Sequence, residues 1–168
     1  MNNRVTFFYF LFLILGCNPF APELIESDPQ STIITGQRTP DEVLTNFRYA
    51  YTFKDSLIYS DILDSSFLFI SKNYVSTPPT DINWGRDVDI KATVGLFRHF
   101  DVLELNWGGK LSEGFGADSM LYEIKITFQL GLIGTDNIPT IKGEALFNFE
   151  RNPSGMWKIT RWEDLSSF

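Results

Sequence analysis

The spacing of apolar residues changes several times along the chain, and each change marks a different kind of segment. Val5 to Leu15 is an uncharged run dominated by Phe, Leu and Ile, with no polar face. Asn18 to Arg38 then carries Pro19, Pro22 and Pro29 among scattered acids, Ser and Thr, and neither a helical nor an alternating period persists. That stretch predicts a tether; the other reading is that Thr32-Ile33-Ile34-Thr35 packs on the domain as an edge strand. Thr39-Pro40-Asp41-Glu42 opens a helix, since Thr39 caps, Pro40 suits the first helical position and Glu42 completes a capping box. Val43, Leu44, Phe47, Ala50 and Tyr51 form one apolar stripe on it, running to about Phe53. Asp55 caps a second short helix carrying Ile58, Tyr59, Ile62 and Leu63. Asp64-Ser65-Ser66 breaks the pattern, and Phe67-Leu68-Phe69-Ile70 reads as a strand.

Beyond Pro78-Pro79 a third helix is predicted from about Asn83 to His99, with Ile90, Val94 and Phe97 on one face and an Asp87–Lys91 ion pair. After Phe100 the period falls to two. Val102 to Trp107 alternates until Gly108-Gly109 ends the strand. Tyr122, Ile124, Ile126, Phe128, Leu130 and Leu132 then alternate with a mostly polar set, the signature of a strand with one buried face. A further strand spans about Pro139 to Glu150, and Asn152-Pro153-Ser154-Gly155 turns it into Trp157 to Trp162.

The 168 residues fit one domain, and 15% aromatic residues favour a strand-rich fold or an aromatic-lined cavity. The formal charge is −7, and without residues 1 to 16 the chain keeps 13 basic against 21 acidic side chains. Nucleic acid is a poor partner for that balance. There is one cysteine, so no intramolecular disulfide forms, and one histidine, so a multi-histidine metal site is excluded. No cofactor motif is present.

Met1-Asn2-Asn3-Arg4 supplies a positive start before the apolar run, which is too short to cross a bilayer as a helix and reads as a targeting segment. Ile14-Leu15-Gly16-Cys17 resembles the bacterial lipobox. That resemblance implies a signal peptide over residues 1–16 and a lipid on Cys17, with acyl chains such as palmitate anchoring the protein in the cell envelope. Asn18 in place of Asp favours the outer membrane over inner-membrane retention. The other reading is a plain secretory signal with a chance cysteine. Residues 17–38 are then anchor and tether, and 39–168 the domain.

Helix, helix, short strand, helix and a curved antiparallel sheet ending in a tryptophan-containing strand resembles the nuclear transport factor 2-like superfamily, also called cystatin-like or SnoaL-like. Thr39-Pro40-Asp41-Glu42, Asp55, Tyr59, Phe67, Phe69 and Trp157-Lys158-Ile159 carry the resemblance. It implies an α+β fold, a cone-shaped antiparallel sheet wrapped around N-terminal helices; a lipocalin-like barrel is the rival. The superfamily includes isomerases, dehydratases and plain binding modules, so fold alone does not give function.

Enzymes of this fold place acids, His, Tyr or Arg inside the cone, which leaves Asp55, Tyr59 and Asp164 as weak catalytic candidates. Asp55 reads equally as a helix cap, Tyr59 as a core residue with its hydroxyl at the rim, and Asp164 as part of a fraying terminus. His99 reads as a helix C-terminal residue. Asp87 and Asp89 point in different directions on a helix and read as a solvated face. The pocket is expected to be lined by Tyr122, Ile124, Ile126, Phe128, Phe147, Trp157 and Ile159, which share strand parity. Trp162 falls on the opposite parity unless a bulge intervenes. The expected role is therefore a lipid-anchored, non-catalytic binding or accessory module for an apolar small molecule or an envelope protein. The alternatives are a cavity lyase or isomerase using Tyr59 with Asp55 or Asp164, and a structural role with a filled cone.

Overall fold

A computed structural model describes residues 34–134 and 140–166, so Cys17 and the predicted signal segment lie outside the described residues. Helix α1 (Pro40–Phe53) begins where Thr39, in extended conformation, accepts a hydrogen bond from the Glu42 amide at 3.2 Å. Glu42 reaches back to the Arg38 amide at 2.7 Å, so both side chains satisfy amides that the helix leaves free. It ends at Lys54, whose left-handed backbone (φ 55°) closes the last turn while its ammonium donates to the Phe100 and Asp101 carbonyls. Asp55 starts helix α2 (Ser56–Ile62) by accepting from the Leu57 and Ile58 amides.

Strand β1 (Leu63–Asn73) follows without a break. The polar Asp64-Ser65-Ser66, expected to interrupt the chain, instead forms the irregular part of β1, where the register against its neighbour shifts between Leu63 and Leu68. Strand β2 (Thr80–Gly85) replaces the first turn of the predicted third helix. Asn83 and Trp84 pair with Ile70 and Phe69, and α3 (Arg86–His99) begins only after Gly85, which offers no side-chain cap. Here cross-strand stacking of Trp84 on Phe69, with ring centroids 4.3 Å apart, outweighs helical propensity.

Strands β3 (Val102–Phe115), β4 (Leu121–Ile133), β5 (Ile141–Arg151) and β6 (Trp157–Asp164) complete one six-stranded sheet in the order β2-β1-β6-β5-β4-β3. Every neighbouring pair is antiparallel except β1 and β6, which run parallel. The sheet is curved and unclosed, with β2 and β3 as its edges, so it is not a barrel. Gly108-Gly109 does not end β3. Trp107 pairs with Phe128 and Lys110 with Ile126, an extra residue that makes a bulge. Gly108 is required there, because a Cβ would lie 2.2 Å from the Thr127 hydroxyl oxygen.

A second bulge decides the interior. Phe149 pairs with Ile159 and Asn148 with Arg161, so Thr160 is extra in β6. The insertion brings Trp162, opposite Phe147, onto the same face as Ile159. The core lies between that face and the helices, and includes fully buried Phe47, Tyr59, Phe147 and Phe149. Residues 34–38, assigned above to the tether, are fastened to the domain. Buried Asn46 accepts from the Thr35 amide and donates to the Thr35 carbonyl, and the Gln37 carbonyl accepts from the Trp157 amide. Backbone groups satisfied by side-chain amide and main chain hold this segment without a regular strand.

Candidate functional site

Between helix α1 and the sheet a space is left unfilled. Phe47 and Tyr51 project from α1, Leu105 and Trp107 from β3, Phe128 and Leu130 from β4, Ile141 and Ala145 from β5, Phe69 from β1, and Trp162 and Asp164 from β6. They enclose a cavity of about 220 Å³ whose exposed lining is almost wholly apolar. The wall is stiffened by edge-to-face ring contacts, with Phe47 lying 5.5 Å from both Trp107 and Trp162. Trp107 donates its indole N–H to the Leu44 carbonyl at 2.9 Å, which ties α1 to β3. The Trp162 indole N–H is buried and finds no acceptor among the described residues.

Among the described residues Asp164 is the one carboxylate on this lining. It pairs with Ala145 in the ladder, and one carboxylate oxygen accepts the Ser166 amide at 3.0 Å. Ser166 tucks beside Phe128 because residue 143 is glycine: a Cβ there would lie 1.8 Å from the Ser166 hydroxyl oxygen and 3.0 Å from the Phe128 ring. The end of the described chain is thereby folded against the cavity rim.

Behind this wall lies a separate polar cluster. Asp89 on α3 is 3% exposed, accepts the Tyr59 hydroxyl at 2.5 Å and accepts the Trp84 indole N–H at 2.9 Å. Burial raises the Asp89 carboxyl above its ordinary value, and the two hydrogen bonds oppose that rise without cancelling it. Burial, with the nearby Tyr51 and Asp89, pushes the Tyr59 hydroxyl well up. Tyr51 is raised likewise, by burial first and then by Asp89. Tyr51 joins the two regions, because its ring lines the cavity while its hydroxyl sits with Thr93 and Tyr59. Asp89, Trp84 and Tyr59 do not touch the cavity.

The solvated face predicted for Asp87 and Asp89 is therefore half corrected: Asp87 is exposed and Asp89 buried. The helix buries Asp89, Thr93 and Phe97; of the predicted Ile90, Val94 and Phe97 stripe, Phe97 is buried and Ile90 packs partly buried against the core, while Asp89 and Thr93 take the deeper positions one residue earlier than Ile90 and Val94. Two donors compensate the carboxylate that this rotation buries. The i, i+4, i+8 spacing of Asp89, Thr93 and Phe97 was the available signal, but a stripe headed by an acid does not score as apolar.

Of the catalytic candidates, Asp55 is the α2 cap, Tyr59 is fully buried against Asp89, and Asp164 lines the cavity. The structure does not bring the three together. Of the expected lining, Phe128 borders the cavity, while Ile124, Ile126, Phe147 and Ile159 are packed in the core. Tyr122 and Trp157 instead line a wider groove of about 550 Å³, together with Arg38, Asp41 and Arg151. Among the described residues, no group of three or more His, Cys, Asp and Glu stands close enough to hold a metal ion.

No family model matches the sequence, and no curated protein matches it. Solved structures do match in three dimensions. A candidate scytalone dehydratase from Novosphingobium aromaticivorans superposes with a TM-score of 0.64 at 12% identity, covering 76% of this chain and 81% of that one. An uncharacterized protein with a cystatin-like fold from Caulobacter vibrioides gives 0.59 at 11% identity, covering 76% and 87%. A nuclear transport factor 2-like superfamily protein from Salmonella enterica gives 0.58 at 11%, also covering 76% and 87%. The fold is nuclear transport factor 2-like. At such identities the likeness is one of fold, and chemistry on a nuclear transport factor 2-like cone has to be argued from the side chains that line it.

Proposed function

We propose that the protein is an envelope lipoprotein, anchored through lipid on Cys17 in the outer membrane, whose nuclear transport factor 2-like domain is a non-catalytic binding module for a ring-sized apolar molecule. The cavity carries this reading. Close-packed interiors hold few voids larger than water, whereas an apolar cavity of about 150 Å³ is enough to admit benzene. A space of about 220 Å³ walled by six aromatic side chains suits a single ring with a short substituent. The titratable pair best placed for acid–base work, Asp89 with Tyr59, is engaged elsewhere and walled off by Tyr51.

A second reading, a cavity lyase or isomerase, is supported by Asp164, the only carboxylate on the lining among the described residues. Turnover would require it to reach a substrate proton, with a donor nearby to hold the developing charge.

Calorimetric titration of the full chain with indole tests the binding reading. Saturable one-to-one binding is expected, and Leu130→Trp, which fills the space from the β4 side, should abolish it. No binding to a folded wild-type chain, or equal binding to the filled variant, would refute the proposal.

A further inference from the structure

Asp164 gives the cavity a polarity that its apolar wall alone does not require. Among the described residues it makes no ion pair, and its hydrogen bond from the Ser166 amide occupies only one of its two oxygens. Three carboxylates paired with cations of β4 and β6 are neutralised outside the cavity: Asp61 by Lys158, Glu144 by Lys125 and Glu163 by Arg161. Glu144 and Glu163 flank Ala145 and Asp164 in chain order, so their cations are committed one residue away on the opposite face of the sheet.

Around the remaining carboxylate stand aromatic faces. Trp162 precedes Asp164 by two residues on the same strand face, and Phe128, Trp107 and Phe47 complete the wall. An aromatic wall attracts a cation through the ring quadrupoles, and a carboxylate at its margin supplies charge-assisted hydrogen bonding. An anion placed here would meet Asp164 without a compensating donor of positive charge. The excess of acidic side chains over the whole chain, 21 against 14 basic, biases the surrounding potential in the same direction.

We propose that the cavity takes small arylalkylamines as their ammonium ions, with the ring among Phe47, Trp107, Phe128 and Trp162 and the ammonium on the free oxygen of Asp164. This rests on the binding reading above and names the ligand class of that same site. It distinguishes the site from a simple apolar store, because selection comes from one end of the ligand and capacity from the other.

The test uses three probes of like size on the full chain at neutral pH: 2-phenylethylamine, 2-phenylethanol and 3-phenylpropionate. Wild type should bind the amine roughly tenfold or more tightly than the alcohol, the range given by one charge-assisted hydrogen bond, and the carboxylate most weakly. Asp164→Asn keeps an oxygen to accept the Ser166 amide, so it should erase the preference for the amine, the amine affinity falling to that of 2-phenylethanol measured on the same variant. If the alcohol binds as well as the amine in wild type, or if Asp164→Asn leaves the amine preference intact, the amine assignment is overturned and the apolar cavity stands. If none of the three binds a folded chain, the binding reading fails with it.

Discussion

Phe147→Ala and Phe128→Ala remove the same side chain from the same face of the sheet, and the difference between their effects measures how hollow the interior is. Phe147 is fully buried, with ring centroids of Phe47, Trp107 and Trp162 at 5.7 to 5.8 Å. Deleting it loses the transfer term, several aromatic contacts and the packing around a new void, which places the cost near the upper end of the 3–5 kcal/mol typical of a core Phe. Phe128 already borders the cavity and is only partly buried. Its removal enlarges an existing space, so the loss should stay near the transfer term of about 1.5–3 kcal/mol. A gap of about 2 kcal/mol between the variants is therefore expected. Urea unfolding with unchanged m-values measures it. Equal losses within about 0.5 kcal/mol, or a larger loss for Phe128, would mean that the space beside Phe128 is filled by packing in solution.

Asp89→Asn should change how stability depends on pH. The folded-state pKa of Asp89 is raised, so its contribution is fully present below the ordinary value of 3.8 and is lost as pH rises through the folded value. Wild type should accordingly gain on the Asn variant as pH falls through that window, and parallel unfolding curves across it would disprove the assignment. Gly143→Ala should cost about 1–3 kcal/mol by overpacking, or expel Ser166 from the rim; hydrogen exchange at Leu165, whose amide bonds the Glu144 carbonyl, tells whether the tail has moved. Cys17→Ser should release the protein from membranes into the soluble fraction, and continued membrane association of the variant in its native host would refute lipid anchoring at that residue.

The elements most legible in the sequence were those whose local chemistry and periodicity agree. Thr39 to Glu42 starts a helix by itself, Asp55 caps the next, and the alternation from Tyr122 to Leu132 has one reading. The cavity was less legible because it depends on residues whose partners lie far away in the chain. Trp84 belongs to a strand only because Phe69 is there to stack on, and Asp89 is buried only because Tyr59 and Trp84 supply donors. The inward parity of Tyr122, Ile124, Ile126 and Phe128 was visible, but which part of that face is filled and which is open depends on where α1 crosses it. Trp107 reaching the Leu44 carbonyl ties α1 to β3 there, a contact between residues 63 positions apart.

The extra residue at Thr160 makes the lining of the cavity a matter of register rather than of composition. Upstream of it, odd-numbered residues of β6 such as Trp157 and Ile159 face inward; downstream, even-numbered Trp162 and Asp164 do. Were β6 to run as a regular strand with Thr160 kept in the ladder, Arg161 and Glu163 would turn to the interior and Trp162 and Asp164 outward together, whereas deleting Thr160 would remove the bulge and leave their facing unchanged. The aromatic wall and its charge are thus a single switchable unit, gained or lost in one step. A chain of this fold can therefore move between a lined cavity and a blank interior by a one-residue shift of register in one strand, without any change in the residues that form the wall.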